Sequence, residues 1–107
     1  MNKYRNKKTV VDGITFDSKK EAARYGELKM LERAGMIFFL ELQPRFQIVD
    51  KVGNLRERYY IADFTYTENG VKVVEDVKSE ITRKNPVYRL KRQLFLARYP
   101  GCEFRET

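Results

Sequence analysis

The sequence has no histidine and a single cysteine, Cys102, among its 107 residues. Without histidine it can build no zinc–imidazole site, no Ser-His triad and no histidine general base. One cysteine excludes an intramolecular disulfide. As a nucleophile Cys102 would lack its usual imidazole partner, so it reads as a buried or inert thiol. No apolar run approaches the ~18 residues of a membrane span. Residues 1–8 are basic with no apolar segment behind them, so no signal peptide and no membrane partner are expected, and the expected location is the cytoplasm. An enzyme of this composition must work with carboxylates, lysine, tyrosine or a metal held by oxygens.

Aromatic residues are plentiful: seven Phe and seven Tyr, within a hydrophobic content of 42%. That separates the chain from a disordered basic tail. Its length suits one domain over residues 1–107, which on folding buries roughly two-thirds of its surface. The net charge is +7 and unevenly placed. Lys3, Arg5, Lys7 and Lys8 form a basic N-terminal arm without an acid. Residues 83–98 carry Arg83, Lys84, Arg89, Lys91, Arg92 and Arg98, again without an acid. Two basic segments around a mildly acidic middle suit a polyanion, though a solvated surface gives the same count.

Turn signals divide the chain. Asp12-Gly13 lies between short β-prone runs and predicts a hairpin. Ser18 with Glu21 three residues on is a capping-box pattern, and the helix it opens runs to about Ala34, before Gly35. Ala22, Tyr25, Leu28 and Leu31 form its apolar row, widened by Ala23, Met30 and Ala34. Ile37–Leu42 is a short apolar run. Gly53-Asn54 and Asn69-Gly70 predict a three-stranded meander of Arg45–Val52, Leu55–Thr67 and Val71–Lys78. Ser79–Asn85 reads as a polar loop, Pro86 opens a second helix that ends near Tyr99, and Cys102–Arg105 reads as a last strand. In the middle strand Tyr60, Ala62, Phe64 and Tyr66 alternate with Tyr59, Ile61, Asp63 and Thr65. Both sets are substantially apolar, so a helix is expected on each face, in a three-layer α/β arrangement.

The Asn69-Gly70 turn sets a register. With these two residues as the loop, Glu68 faces Val71, Thr65 faces Val74, Asp63 faces Asp76, and Ile61 faces Lys78. Period two keeps Asp76 and Lys78 on one side. Two facing carboxylates repel each other in a sheet. A nearby lysine, a raised pKa or a divalent cation offsets that, and oxygen ligands alone select Mg²⁺, Mn²⁺ or Ca²⁺. Glu75 alternates away from Asp76 and is expected to pair with a cation of the second helix.

Ala62-Asp63, a hairpin, and then Asp76-Val77-Lys78, with a helix before and another after, resemble the PD-(D/E)XK nuclease superfamily. The resemblance runs from Ser18 to Glu106. Lys3–Lys7 (Lys-Tyr-Arg-Asn-Lys), Phe16–Ala22 and Glu41–Pro44 also resemble a family of short phage-encoded proteins assigned to that superfamily. The chain departs from the motif where Ala62 replaces its proline.

The resemblance implies a restriction-endonuclease-like αβββαβ core behind an N-terminal hairpin, and a metal-dependent DNA endonuclease with branched or replicating DNA as a candidate substrate. It implies that Asp63, Asp76 and the Val77 backbone carbonyl hold Mg²⁺ or Mn²⁺, and that Lys78 orients or activates the attacking water. Glu21 reads first as the capping acid, but it shares a stripe with Tyr25 and Leu28, and the superfamily often supplies an acid from this helix. It is a candidate catalytic residue and ligand.

Tyr88, Lys91, Arg92 and Phe95 form one stripe of the second helix, and Val87, Leu90, Leu94 and Ala97 another. One stripe is expected to pack and the other to reach phosphate. Lys91, Arg92, Tyr88, Gln43 and the arm residues are the candidate DNA contacts. A homodimer would add basic surface. The alternatives are a non-catalytic nucleic-acid-binding module and a phage scaffold protein.

Overall fold

The computed structural model describes residues 7–107. Lys3 and Arg5 lie outside the described residues. Strands β1 (Thr9–Val11) and β2 (Ile14–Phe16) form the expected antiparallel hairpin. Its turn residues Asp12 and Gly13 both take positive φ, 52° and 74°. Helix α1 (Lys19–Arg33) begins at Ser18, whose side-chain oxygen accepts the Glu21 N–H at 3.1 Å. Gly35, at φ 74°, turns the chain after it. Glu21, Ala22, Tyr25 and Leu28 are its buried residues. Ala23, Met30 and Ala34 are exposed, so the buried row is narrower than the sequence suggested.

The meander is more broken than its turn signals imply. Strands β3 (Phe38–Leu42), β4 (Arg45–Val49), β5 (Arg58–Ile61), β6 (Phe64–Glu68) and β7 (Val71–Asp76) follow in order. The run Leu55–Thr67 is not one strand. It divides at Ala62-Asp63, where β5 pairs with β4 and β6 pairs with β3 and β7. Opposite this break lies Gln43-Pro44. Gln43 has φ 50°, and its N–H donates to the Asp63 carbonyl at 2.9 Å. The Ala62 N–H donates to the Pro44 carbonyl at 3.2 Å. Proline cannot donate to a ladder, so both arms of this long hairpin bend at the same level.

The bend exchanges faces. Tyr60 and Ala62 pack with Ile48, Val74 and Phe95, whereas Phe64 and Tyr66 pack with Phe16, Tyr25, Leu28 and Val73. The expectation that these four residues share a face therefore fails, because alternation of period two does not survive the break. Ile61 likewise pairs with Arg45 rather than Lys78.

A four-residue helix α2 (Glu80–Arg83), capped by Ser79, stands within the expected loop. Helix α3 (Pro86–Arg98) is capped by Asn85, whose Oδ1 accepts from the N–H groups of Val87 and Tyr88 at 2.9 and 3.2 Å. Strand β8 (Glu103–Glu106) runs parallel to β7, and the main sheet has the order β3-β6-β7-β8. The fold is mixed α/β. Consecutive Val73 and Val74 point to opposite faces. Val73 lies in the cluster that includes α1, and Val74 in the one that includes α3, so a helix covers each face. On α3 it is Phe95 that is buried, with Tyr88 half-buried, while Val87 and Leu90 are exposed. No described helix is long and apolar enough to cross a membrane.

Candidate functional site

The Asn69-Gly70 turn produces the register read from the sequence: Glu68 pairs with Val71, Thr65 with Val74, and Phe64 with Glu75. Asp63 and Asp76 are the next positions along. Strand β6 has ended by Asp63, and side chains take over the pairing. The Asp63 N–H donates to Asp76 Oδ1 at 3.0 Å, and the Val77 N–H donates to Asp63 Oδ2 at 2.8 Å. Lys78 Nζ lies 3.8 Å from Asp63 Oδ2 and 3.7 Å from Asp76 Oδ1. The two acids and the lysine thus converge.

A cleft of about 250 Å³ opens over this group, lined by Glu21, Asp63, Val77 and Lys78 together with residues of the α1 and α2 entrances. Glu21 is buried, and no hydrogen bond ties down its carboxylate among the described residues. Only the Ser18 half of the capping box forms, and the acid is directed to the cleft instead. Burial, then the charges of Asp63 and Asp17, push the Glu21 carboxyl up to about 7. Burial pushes Asp76 up to about 6 against the pull of Lys78, and it raises Asp63 as well.

These carboxyls are crowded, and Asp76 Oδ2 is buried without a hydrogen-bond partner among the described residues. Among the described residues no group of three or more Asp, Glu, His or Cys is gathered closely enough to hold a metal ion. Two aspartates, one with an unpaired buried oxygen among the described residues, and a nearby glutamate are nevertheless hard-oxygen donors of the kind a small divalent cation takes.

Glu75 has a different role from its neighbour. It is fully buried on the α1 face, where Arg24 donates to it through Nε at 2.6 Å and a second nitrogen at 3.0 Å. Tyr66 donates to it at 2.6 Å. Burial alone would raise its carboxyl, but these bonds hold it below the usual range. Its cation therefore comes from the first helix, not the second: alternation placed the side chain correctly, and the α1 packing chose the partner.

Of the candidate DNA contacts, Lys91 lines a hollow adjoining the cleft, together with Lys78 and Tyr88. Arg92 and Tyr88 are both bonded to Glu106, and Arg92 reaches it at 2.9 Å. Gln43 is exposed at the strand bend, and its backbone rather than its side chain touches Asp63. Lys7 and Lys8 are exposed, and Lys8 lies 4.0 Å from Asp17. Cys102 is half-buried, its Sγ donating to the Tyr99 carbonyl.

Lys20 was not foreseen. Its Nζ donates to the Lys78 carbonyl at 3.3 Å and the Thr107 carbonyl at 2.9 Å, pinning the end of β7 to α1. Only its place beside Glu21 could have signalled this.

The family model described as a protein of unknown function (DUF1064) matches residues 1–106. No curated protein and no solved structure gives a match.

Proposed function

The chain belongs to the DUF1064 family, and from its own site we propose that it is a metal-dependent DNA endonuclease built on a PD-(D/E)XK-type αβββαβ core. One observation carries the reading: Asp63, Asp76 and Lys78 meet beneath a cleft that Glu21 also lines. In support, α1 precedes the strands that bring the acids together, and α3 and β8 follow them. Mg²⁺ or Mn²⁺ held by Asp63, Asp76 and the Val77 carbonyl, with Glu21 as a further oxygen, would polarise the phosphoryl group and acidify a bound water.

The chain's own groups do the rest. The bonds from Asp63 N–H to Asp76 and from Val77 N–H to Asp63 hold both carboxylates in place before substrate arrives. Lys78 Nζ donates to a non-bridging phosphate oxygen and holds the negative charge that develops there. Lys91 binds a neighbouring phosphate and sets the strand's path across the cleft.

The test is incubation of the purified protein with linear, nicked, flapped and four-way DNA, with Mg²⁺ or Mn²⁺ and with a chelator. Cleavage with the ions and none with chelator is expected. Cutting that persists in chelator would overturn the oxygen-ligand site. Salt-dependent binding without cutting would assign a non-catalytic nucleic-acid module.

A further inference from the structure

A second cavity, of about 430 Å³, adjoins the carboxylate cleft, and Lys78 and Thr82 line both. A molecule with its phosphate at Asp63 and Asp76 must continue into this space or pass over it. Three features define what fits. The wall is aromatic and aliphatic: Tyr59 and Tyr60 stand there beside Ile61 and Val87, which are 54% and 63% exposed. Such a surface suits a flat apolar face. The Tyr60 hydroxyl is buried in the core behind this wall and does not face the cavity. One polar group in the wall has a donor without a partner among the described residues. Asn85 uses its Oδ1 to cap α3, which leaves its amide N–H₂ free to donate. Finally, Lys78 and Lys91 are the charged residues of the lining, with no carboxylate among them.

Resting on the nuclease reading of the cleft, we infer that this cavity receives an unpaired nucleobase of the DNA strand whose phosphate lies at Asp63 and Asp76. The base lays its π face on the aromatic and aliphatic wall. Its edge accepts a hydrogen bond from the Asn85 amide. Lys78 and Lys91 hold the phosphates on either side. A base inside an intact duplex is covered on both faces and paired along its edge, so it cannot enter without leaving the stack. The substrate class is therefore single-stranded, frayed or flapped DNA rather than blunt duplex.

The experiment measures affinity of the full chain in Ca²⁺, which takes the same oxygen donors, with the recovered probes checked to be uncut. The probes are a short single strand, the same strand with abasic central positions, and a blunt duplex of equal length. Wild type should bind the single strand roughly tenfold or more tightly than the abasic strand, as stacking on aromatic side chains provides. Tyr59→Ala should erase most of that preference. Asn85→Ser, which keeps an oxygen to cap α3 but removes the amide donors, should weaken single-strand binding several-fold with little change in melting temperature. A purely structural Asn85 would not separate binding from stability in this way.

Equal affinity for the normal and abasic strands, equal affinity for single strand and duplex, or no single-strand binding overturns the inference. A parallel Mg²⁺ or Mn²⁺ cleavage assay keeps the two proposals apart. Cutting without base dependence removes the subsite alone, and base-dependent binding without cutting removes the nuclease reading alone.

Discussion

Asp63 and Asp76 are joined through the backbone of one and the side chain of the other: the Asp63 N–H donates to Asp76 Oδ1 at 3.0 Å. One oxygen of Asp76 is thereby fixed, and the other is left buried with no partner among the described residues. A facing acid pair that would otherwise only repel thus becomes an ordered, electron-rich site. Most of the expected behaviour of the protein follows from that arrangement.

Asp76→Asn should stabilise the chelator-treated protein at neutral pH. Burial raises the Asp76 carboxyl from its ordinary 3.8 to about 6. The folded state therefore binds a proton that the unfolded chain has already released, and stability falls as pH rises between those values. About two units of pKa difference correspond to on the order of 2–3 kcal/mol. Asparagine can still accept the Asp63 N–H without charge. Melting curves at pH 4 and pH 7 should show the mutant ahead at pH 7 and level with wild type at pH 4. Mg²⁺ should raise the melting temperature of wild type only. A mutant less stable than wild type at pH 7 would mean that the Asp76 charge is fully compensated in the fold.

Lys78→Met should remove cleavage by a factor of about 10² or more, in line with the loss of one preorganised donor at a developing negative charge. The same change leaves two largely buried aspartates without their cation. The metal-free mutant should therefore lose stability that Mg²⁺ partly restores. Single-turnover cleavage and melting with and without Mg²⁺ are the measurements. Unchanged turnover would remove Lys78 from the site.

Arg24→Ala should be among the most damaging changes in the protein although it lies outside the cleft. It strands the fully buried Glu75 carboxylate, whose principal cation is Arg24. Breaking a buried pair from one side costs about 3–5 kcal/mol. Glu75→Gln keeps hydrogen bonding without charge and should cost less. Denaturant midpoints of the two variants check the order, and equal losses would mean that Arg24 contributes through packing alone.

Lys91→Ala and Arg92→Ala should separate, although both sit on the same stripe of α3. Arg92 is bonded to Glu106, so its loss should lower stability and change the DNA salt slope little. Lys91 lines the hollow beside the cleft, and its loss should weaken DNA binding and reduce the salt slope by about one. Affinity across a salt series, with melting curves of both variants, provides the comparison. Identical slopes for Lys91→Ala and wild type would exclude a phosphate contact there.

The sequence by itself determined what local chemistry controls. Asp12-Gly13 and Asn69-Gly70 mark their turns because these residues tolerate positive φ. Ser18 and Asn85 mark helix starts because their side chains accept the first free N–H groups. From the second of those turns, strand periodicity carried Asp63 to the position facing Asp76. Short-range rules held over this distance because β6 and β7 are joined by only two residues.

Tertiary structure decided whatever depended on contacts distant in the chain. The bend at Ala62-Asp63 exists because Gln43-Pro44 lies opposite it, and it sent Tyr60 and Phe64 to different faces. The partner of Glu75 was settled by the docking of α1, which brought Arg24 across 51 positions of sequence. Glu21 could cap its helix or enter the cleft, and in the folded chain it lines the cleft, where burial and the charge of Asp63 raise its carboxyl. Local pattern names the residues that a chemistry requires. Only the packing of separate elements decides which charges end up paired and which are left facing a cavity.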